Sequence, residues 1–587
     1  MARPLNSEIG LVVLFLFLGI LNGQAICAVA YASDYSAQAL VPRPFPNGGP
    51  ADATYLIGAQ RSQFFALNQK TGRIDYQGPN ASTAIQTAID ALSNIGGKVY
   101  ITPGTYPVTQ IVLTGSNIIL ESESAVLLAS DNGISTRKFP SGIQKTSDTR
   151  IVMVLDSAPV LLIDRASQVT VRNIVVDGNP LSRSFNRDGI LIWDSTGVLV
   201  ENCEIRNVEG SGIRTRSSGT YDLSNPQNSN LNTRDVVIKG CRVHGTRTNP
   251  PYFSEGVKGF GYEVEFSEGV TIENSVAQDC GESMFRPEYS RHVNFLNNTG
   301  NTILRVASGE VFDIYRSDYV VVRGNRVFDP KGLGIYIYEY CTNLLIENNE
   351  IRSLSPESVQ VSLQGIGEFR SAPIENVRFS NNSISGTVEL SNSYLKNVEF
   401  DSNSIYSLRA YPAEETPRVF ENITFASNTF LAKSVQAAVV SIPVTFVANG
   451  FMNRVELREL VAGTVILQNN EFTSDGVAYA TGIYIAGSVN HVVLANNYFH
   501  DVTYQAIFVT VDSGLAQNGL LEIVGNRFKH NGFVGPQDTV VFKASSVSAI
   551  VMTSNIFEWT LGTFAAYGFG VSGTVADNVA DKPIYLA

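Results

Sequence analysis

The sequence is poor in charged residues. Asp, Glu, Lys and Arg make up 16% of its 587 residues, below the roughly 25% of typical globular proteins. Hydrophobic residues make up 44%, which excludes a disordered chain. The formal net charge is −12, and this acidity argues against a nucleic-acid partner, because phosphate binding requires clustered Lys and Arg. We therefore expect a folded protein that does not bind nucleic acid.

Cysteine is scarce as well. Only five are present, and Cys27 lies within the N-terminal apolar segment. No CxxC pair or His/Cys cluster occurs, so no structural zinc site is expected, and the other four are too few for a disulfide framework. Glycosylation sequons suggest a glycoprotein, and they occur at Asn80, Asn297, Asn381 and Asn422.

Long apolar runs are absent beyond the N-terminus. There, GLVVLFLFLGIL (residues 10–21) follows Arg3, and small residues near position 30 offer a cleavage site. This pattern predicts a signal peptide over residues 1–32, and hence an extracellular or cell-surface protein. Alternatively, residues 10–32 remain as a membrane anchor, because their length approaches that of a spanning helix. Residues 33–52, rich in Pro, Gly and small side chains, are predicted to be a linker.

Amphipathic segments of helix length are also rare, and one stands out in NASTAIQTAIDALSNIGG (residues 80–97). Ser82 or Thr83 is the predicted N-cap, and Gly96 and Gly97 end the helix. Its apolar face consists of Ala84, Ile85, Ala88, Ile89 and Leu92. We expect this helix to cover an open hydrophobic end, within a lead-in segment spanning residues 53–97.

A short sequence motif recurs along the chain, where helix-forming segments are rare. LLIENNEI (residues 344–351), VLANNYF, ILQNNEF and RFSNNSI share the pattern apolar-x-apolar-x-x-Asn-x-apolar. Typical steps are 23 to 29 residues; Asn325 to Asn349, for example, is 24. The repeat position is occupied by Asn173, Cys203, Cys241, Ser275, Asn298, Asn325, Asn349, Asn382, Asn403, Asn428, Asn470, Asn497, Asn526, Asn555 and Asn578, with Asn449 as a further candidate.

Short strands at a period of about 25 residues are typical of a parallel β-solenoid, in which equivalent strands stack about 4.8 Å apart. The asparagine would occupy a bend in αL conformation, and stacked amides would satisfy one another. We predict an all-β parallel β-helix of about 16 coils over residues 98–587. Cys203 and Cys241 occupy adjacent positions within disulfide range, but parallel Cβ vectors favour free thiols, which we expect.

The segments AIQTAIDAL, GGKVYITPGTY, VTVRNIVVDGN and DGILIWDSTGVLVENCEIRNVEGSGI resemble the pectin-lyase-like right-handed parallel β-helix superfamily. The likeness is greatest to its secreted pectate-lyase-superfamily and right-handed β-helix repeat proteins. Residues 53–92 also resemble the N-terminal segment of such proteins in archaeal surface and secreted sequences. The resemblance covers about residues 52–587 and implies the fold. It leaves the activity open, because this superfamily contains lyases, hydrolases, epimerases and non-catalytic adhesins.

Outward side chains of one sheet are located by counting back ten and twelve residues from the repeat position, which gives a residue pair on each of three coils from Glu263 to Tyr315. The pair in the coil before is found by matching its Gly-Ile start, and the pair in the coil after is taken from GIYIYEY. These side chains form a concentration of charge beside two inserted loops, residues 221–235 and 245–259, that could form the walls of a groove. The apolar residues between them would point inward, which supports this register. The outward residues are Arg214, Arg216, Glu263, Glu265, Arg286, Glu288, Asp313, Tyr315, Tyr336 and Tyr338.

One chemistry that fits is β-elimination on a uronic-acid polymer, which requires a neutralised carboxylate and a base. Glu263, Glu265 and Asp313 could hold Ca²⁺. Arg286 or Lys258 would then be the base and Tyr315 the proton donor. Substrate binding would fall to Arg214, Arg216, Lys258, Tyr336 and Tyr338, and no cofactor other than Ca²⁺ is expected.

Two alternatives remain open. Hydrolysis needs carboxylates about 5–5.5 Å apart for retention or 6.5–9.5 Å for inversion, which the pairs Glu265–Glu288 and Glu263–Asp313 could supply. Polygalacturonases of the superfamily carry further motifs, and these are largely missing here. NRDG (residues 186–189) matches one of them only partly, and no Gly-His-Gly exists, which argues against hydrolysis by that mechanism. We predict that Asp188, within NRDG, is a turn residue. In the second alternative the charges only pair, in a non-catalytic adhesin or surface-structural protein. The leading hypothesis is an extracellular polysaccharide-active protein, lyase-like on uronic-acid polymers.

Overall fold

The computed structural model describes most of the chain after residue 51. The predicted signal peptide, the linker up to residue 51 and Lys258 lie outside the described residues. Among the described residues, no helix is long and apolar enough to cross a membrane. The described ranges are 52–130, 142–145, 150–154, 159–179, 188–246, 259–301, 309–330, 332–364, 373–391, 394–411, 420–432, 437–474, 479–510, 519–532, 538–542, 549–568 and 573–586.

The lead-in segment forms an antiparallel meander followed by a helix. Strands β1 (Tyr55–Gln60), β2 (Gln63–Asn68) and β3 (Arg73–Gly78) pair in order. Helix α1 (Ala81–Leu92) follows and packs its predicted apolar face against the core. The prediction of its N-cap was wrong: Asn80 is the cap, and its side chain accepts a hydrogen bond from the backbone N–H of Thr83. Asn offers the same acceptor as Ser or Thr at this position.

All but three of the remaining strands in the described ranges stack into three parallel sheets. Most coils contribute one strand to each sheet, in the order sheet I, sheet II, sheet III. Sheet I contains Ile111–Leu113, Leu161–Asp164, Ile190–Trp193, Ile213–Arg216, Tyr262–Glu265, Phe285–Glu288, Phe312–Tyr315, Ile335–Tyr338, Val359–Gln364, Ala438–Val440, Ile507–Thr510, Val540–Phe542, Ala566–Gly568 and Ile584–Leu586. Two strands turn from sheet I into sheet II, and these are Val455–Gln468 and Ile483–Ala495.

Sheet II begins with β1, which pairs in parallel with the next strand of the sheet. Its other strands are Gly97–Ile101, Thr196–Glu201, Thr233–Lys239, Ser267–Glu273, Arg291–Leu296, Asp318–Arg323, Cys341–Glu347, Pro373–Ser380, Tyr394–Asp401, Phe420–Ala426, Thr445–Val447, Leu520–Val524, Ala549–Thr553 and Gly573–Ala576. Two long strands run from sheet II into sheet III, and these are Ile118–Ala129 and Thr170–Asp177.

Sheet III has the shortest strands. They are Gly104–Val108, Glu204–Arg206, Arg242–His244, Val276–Gln278, Thr299–Asn301, Arg326–Phe328, Glu350–Arg352, Thr429–Phe430, Gly450–Phe451, Glu471–Phe472, Tyr498–His500, Arg527–Lys529, Ile556–Glu558 and Val579–Ala580. Ser383–Ser391 and Ser404–Tyr411 continue from sheet III into sheet I of the next coil. A separate antiparallel sheet consists of Gly142–Lys145, Arg150–Val154 and Thr220–Asp222, and a short 3-10 helix spans Pro226–Asn228.

The interior is filled by buried aliphatic side chains and by stacked phenylalanines. Ring centroids in one stack lie 4.5 Å apart between Phe379 and Phe400 and 4.7 Å apart between Phe400 and Phe425. Equivalent residues of successive coils are brought into register by the parallel pairing, so rings at one repeat position lie over one another. The stack therefore follows from the repeat.

The predicted asparagine ladder is confirmed. From Asn325 to Asn578, ten hydrogen bonds of 2.8–3.1 Å join the Nδ2 of one asparagine to the Oδ1 of the next. Asn449 belongs to the ladder. Each Nδ2 also donates to a carbonyl of the preceding coil, as Asn349 does to Val322 at 2.8 Å. Buried amides therefore satisfy one another.

The non-asparagine positions continue the same ladder. The backbone N–H of Ser275 donates to Asn298 Oδ1, that of Cys241 to Ser275 Oγ, and that of Cys203 to Cys241 Sγ. Ser and Cys therefore keep the acceptor of this position with a smaller side chain. All four described cysteines are free thiols, as expected for Cys203 and Cys241.

Two details of the predicted ladder were wrong. The residue in αL conformation is the exposed one before the ladder residue, such as Asn348 with φ of 55°, and not Asn349 itself. Asn173 is also such an αL residue, and parallel pairing aligns Ile174 with Cys203 as the ladder position. A second, exposed run of αL asparagines links Asn343, Asn376, Asn397 and Asn422 through their side chains.

Candidate functional site

The charged side chains predicted from the repeat lie on the outward face of sheet I, on five successive strands. Pairing places Arg214 beside Glu263, Glu263 beside Arg286, and Glu265 beside Glu288. The next two strands pair Asp313 with Tyr336 and Tyr315 with Tyr338. The outward register predicted from the asparagine repeat is therefore correct for these strands. We call these ten predicted residues the charged column.

Most of the charged column is buried. The exposed fraction is 2% for Glu263, 3% for Glu265 and Asp313, and 6% for Arg286 and Glu288. Isolated charges are not stable in such surroundings unless they are paired and hydrogen-bonded. The side chains therefore interact with one another rather than with bulk water.

Two arginines hold the first pair of glutamates. Arg214 Nε lies 2.6 Å from Glu263 Oε2, and Arg216 Nε lies 2.6 Å from Glu265 Oε2. Glu265 Oε2 lies also 3.1 Å from Arg214 Nε, but neither Nε contact to this oxygen has hydrogen-bond geometry. Glu265 Oε1 accepts a hydrogen bond of 3.2 Å from Arg216.

Arg286 is the centre of the second group. Its guanidinium contacts Glu288 at 2.9 Å and Asp313 at 3.1 Å. Its Cζ also lies 4.9 Å from the ring centroid of Phe260 and 5.5 Å from that of Tyr315. A guanidinium enclosed in this way is fixed in position. Asp313 Oδ1, in contrast, has no hydrogen-bond partner among the described residues.

Sequence reasoning missed several members of this network. Asp188, read as a turn residue, is buried; it accepts a hydrogen bond from the backbone N–H of Ser211 at 2.7 Å and lies 3.4 Å from Arg214. Ser211 also donates to Glu263, and Ser283 donates to Asp313 at 3.0 Å. Ser211 and Ser283 lie just before their sheet I strands. This shared position, two residues before the strand, is the sequence feature from which both serines could have been predicted.

The tyrosines lie where the column becomes accessible. Tyr315, Tyr336 and Tyr338 are half-buried. The centroid distance is 4.5 Å both between Tyr315 and Tyr338 and between Tyr336 and Tyr338. Burial raises the pKa of all three hydroxyls, so they stay protonated at neutral pH. Arg316, next to Tyr315, contacts Glu339 at 2.6 Å and lies 4.5 Å from the Tyr315 ring.

One of the two inserted loops, residues 221–235, packs on part of sheet I. Tyr221 and Leu231 of this loop form a buried apolar cluster with Trp193, Phe266 and Tyr289. The loop also bonds to the solenoid, because Gln227 donates to Asp318 at 3.1 Å and Arg291 donates to the carbonyl of Pro226 at 3.1 Å. The second predicted loop, residues 245–259, lies largely outside the described residues.

The two paired glutamates have opposite pKa shifts. Burial raises the pKa of Glu265 to about 8, and the neighbouring charges of Glu263 and Glu288 raise it further while the arginines oppose the change. Burial also disfavours ionised Glu263, but Arg214 and Arg216 outweigh it and lower its pKa. Of these two carboxyls, Glu265 therefore holds a proton more tightly than Glu263. Burial and Asp313 likewise raise the pKa of Glu310 to about 7.

The network has more acids than bases. The carboxylates of Asp188, Glu263, Glu265, Glu288 and Asp313 outnumber the guanidinium groups of Arg214, Arg216 and Arg286. One carboxylate oxygen from each of Glu263, Glu265 and Glu288 lies within 4.8 Å of the others. This group has oxygen ligands suited to a hard cation such as Ca²⁺. It contains two of the predicted Ca²⁺ ligands, whereas Asp313, the third, binds Arg286.

Comparison with known proteins identifies the type of solenoid. A family model described as a right-handed β-helix region matches residues 159–351 and 299–430, the part of the chain that contains the charged column. This match agrees with the three stacked parallel sheets. The fold is a right-handed parallel β-helix. No curated protein matches its sequence.

Solved structures similar to this β-helix protein have diverse activities. The A-module of the mannuronan C-5 epimerase AlgE6 from Azotobacter vinelandii is 15% identical, with 86% of this chain and 96% of that chain covered and a TM-score of 0.29. The surface adhesin PfbA of Streptococcus pneumoniae is 15% identical (74% and 88% covered, TM-score 0.35). An endo-xylogalacturonan hydrolase from Aspergillus tubingensis is 13% identical (75% and 92% covered, TM-score 0.27).

Proposed function

We propose that this β-helix protein is an extracellular or surface protein that binds a polysaccharide along the outward face of sheet I. The observation that carries this proposal is the change in exposure along that face. Buried ion pairs at Glu263 and Arg286 give way to the half-buried rings of Tyr315, Tyr336 and Tyr338. Aromatic rings with a polar tip suit sugar rings, since one part is apolar and the other forms hydrogen bonds.

In this proposal the buried ion pairs support the binding face instead of cutting the glycan. Arg286 contacts Glu288, Asp313 and the ring of Tyr315 at once. Its guanidinium therefore fixes the position of the first tyrosine of the stack. Side chains held by such contacts lose little freedom when a ligand binds, which favours affinity.

Binding is tested with a glycan array followed by titration of the best ligand. We expect Tyr336→Ala combined with Tyr338→Ala to weaken binding at least tenfold, and Arg286→Ala to weaken it as well. Leu354→Ala, which removes an exposed apolar side chain, is the control and should leave affinity unchanged. Equal affinity of the tyrosine variant and the unaltered protein would disprove the proposal.

Cleavage of a uronic-acid polymer is the second candidate, and the unequal glutamates favour it. A carboxyl of raised pKa, Glu265, beside one of lowered pKa, Glu263, is the arrangement that separates acid from base in many active sites. Together with Glu288 they offer oxygens for Ca²⁺. The test is absorbance of unsaturated uronate products from a panel of uronans with Ca²⁺. If no product forms with any uronan, the lyase proposal fails; if product forms and Glu265→Gln abolishes it, the column is catalytic.

A further inference from the structure

A turn position that directly follows the strands of sheet III changes its residue type near the C-terminal end. In earlier coils it holds residues that tolerate positive φ, which are Asn207, Gly245, Asp279, Asp329 and Asp501. In the last two coils with this turn described, His530 and Trp559 occupy it with φ of 51° and 55°. Positive φ is unfavourable for bulky L-residues, and in this chain Phe266, Tyr289 and Tyr319 adopt it as well. The conformation of Trp559 is therefore not exceptional in this solenoid, and only its exposure and surroundings indicate a site.

Trp559 is also very exposed. Its exposed fraction is 66%, whereas Trp193, the other tryptophan of the chain, is 7% exposed. Trp559 borders a shallow cavity of about 480 Å³, within the roughly 300–1,000 Å³ range of small-molecule sites. The floor and rim of this cavity also include Arg527, Lys529, Ile556, Glu558, Val579 and Asp581.

The polar groups of this cavity are arranged around the indole. Arg527 donates to Glu558 through Nη2 at 2.9 Å and through Nε at 3.1 Å, so these two charges neutralise each other. Both carboxylate oxygens of Asp581 accept hydrogen bonds from Thr560 at 2.7 Å. The ammonium of Lys529 lies over the Trp559 ring, 5.2 Å from its centroid, in a cation–π contact. It forms no ion pair with any residue in the described part of the chain.

We propose that Trp559 and Lys529 form a second glycan-binding site, which takes an acidic pyranose unit. The C–H groups of a sugar ring stack on the exposed part of the indole, and Lys529, which lies over the same ring, neutralises the carboxylate or sulfate of the sugar. An exposed, strained tryptophan beside an unneutralised cation suits this ligand better than a protein surface. A flat apolar partner would gain nothing from the lysine.

The site is far from the tyrosines of sheet I. Eight coil-to-coil steps of sheet I separate Ile335–Tyr338 from Val540–Phe542, the strand in the coil of Trp559. This separation is roughly 40 Å at about 4.8 Å per coil. The two sites therefore share no residue, and either can exist without the other. If both exist, one long chain could engage both and gain avidity.

Tryptophan fluorescence of the full chain tests the site, because Trp559 is the only exposed tryptophan. Polygalacturonate and alginate are the acidic probes, and dextran is the neutral one. We expect the acidic probes to change the emission of the unaltered protein and dextran to have at least tenfold weaker effect. Lys529→Gln should remove this preference. An equal response to dextran, or a preference kept by Lys529→Gln, would contradict the role of the lysine.

Trp559→Asn separates binding from folding. Asn tolerates the αL conformation, so we expect an unchanged or higher melting temperature together with at least a tenfold loss of affinity for the acidic probes, measured by calorimetry. Tyr479→Ala, which removes another exposed aromatic at positive φ, should bind normally. A lower melting temperature with unchanged affinity would overturn the proposal and show that Trp559 is structural. Tyr336→Ala with Tyr338→Ala, measured in parallel, reports on the other site alone.

Discussion

Two columns of buried polar side chains run along the same solenoid, and they differ in charge and regularity. The inner column consists of neutral amides, and each asparagine from Asn325 to Asn555 both donates to and accepts from its neighbours. The outer column, which is the charged column, consists of charges on a few coils, with more carboxylates than guanidinium groups. Within the described ranges Asp313 Oδ1 has no hydrogen-bond partner. The satisfied, periodic ladder stabilises the fold, whereas unbalanced buried charges lower its stability.

Removing the central cation of the outer column should have the largest effect. We expect Arg286→Met to lower the free energy of unfolding by about 3–5 kcal/mol, because it leaves Glu288 and Asp313 as buried unpaired charges. Chemical denaturation measures the change. Arg378→Met breaks an exposed pair with Glu399 and Asp401 and should cost about 1 kcal/mol or less. Equal losses of unfolding free energy from both variants would show that the buried ion pairs of the outer column contribute no more to stability than exposed pairs do.

Breaking the inner column should cost somewhat less. Asn403→Ala removes the acceptor of Asn382 and the donor to Asn428, so we expect a loss of about 2–4 kcal/mol from unsatisfied buried groups. Asn403→Ser should recover part of this loss, since Ser275 already acts as acceptor in the same position. The melting temperatures of the two variants, compared with that of the unaltered protein, measure these losses. If Ser is no better than Ala, the acceptor is not what this position supplies.

The raised pKa of Glu265 predicts that the free energy of unfolding depends on pH. The asparagine ladder does not titrate and has no such dependence. The pKa is about 8 when folded against 4.5 ordinarily, so the folded protein binds this proton more tightly than the unfolded chain. The contribution of Glu265 to the free energy of unfolding is therefore greatest below pH 4.5, falls as the pH rises to about 8, and is constant above it.

Glu265→Gln tests this pH effect, because it mimics the protonated carboxyl. The variant should gain up to a few kcal/mol relative to the unaltered protein between pH 5 and pH 8, as measured by denaturation at both values. A difference independent of pH would mean that Glu265 is ionised when folded. Asn403→Ser, which does not titrate, is the matched control from the inner column.

The exposed asparagine run gives the smallest expected effect. Asn397 links Asn376 and Asn422 at 2.9 Å each, but water can replace both contacts. Gly keeps the αL conformation of this position, so Asn397→Gly should change stability by less than about 0.5 kcal/mol. A loss as large as that of Asn403→Ala would show that exposure does not distinguish the two runs.

The fold could be predicted from the sequence because it is periodic. The asparagine spacing located the ladder and the outward register of residues such as Glu263 and Asp313. It failed at Asn173, an αL asparagine that is followed by Ile174, the residue that occupies the ladder position. The N-cap of α1 was predicted from capping preferences instead, and that prediction failed because Asn80 replaces the expected hydroxyl.

The candidate site could be predicted only in part. The repeat indicated which side chains point outward, but burial of the charged column depends on contacts between residues far apart in sequence, such as Arg286 with Phe260. The role of Asp188 depends on its proximity to Arg214, 26 residues later. Such pairings carry no local pattern. The pKa of Glu265 follows from the same contacts and was equally inaccessible.

The asparagine ladder also gives the solenoid a dipole along its axis. Every side-chain carbonyl from Asn349 to Asn578 accepts from the coil before it, and every Nδ2 from Asn325 to Asn555 donates to the coil after it. Aligned amide dipoles add, as they do along an α-helix, and polarise one another. The partial positive end lies at Asn578, next to Val579 and Asp581 of the cavity that Trp559 borders. An anion bound there would lie at the favourable pole of a dipole that extends over eleven coils.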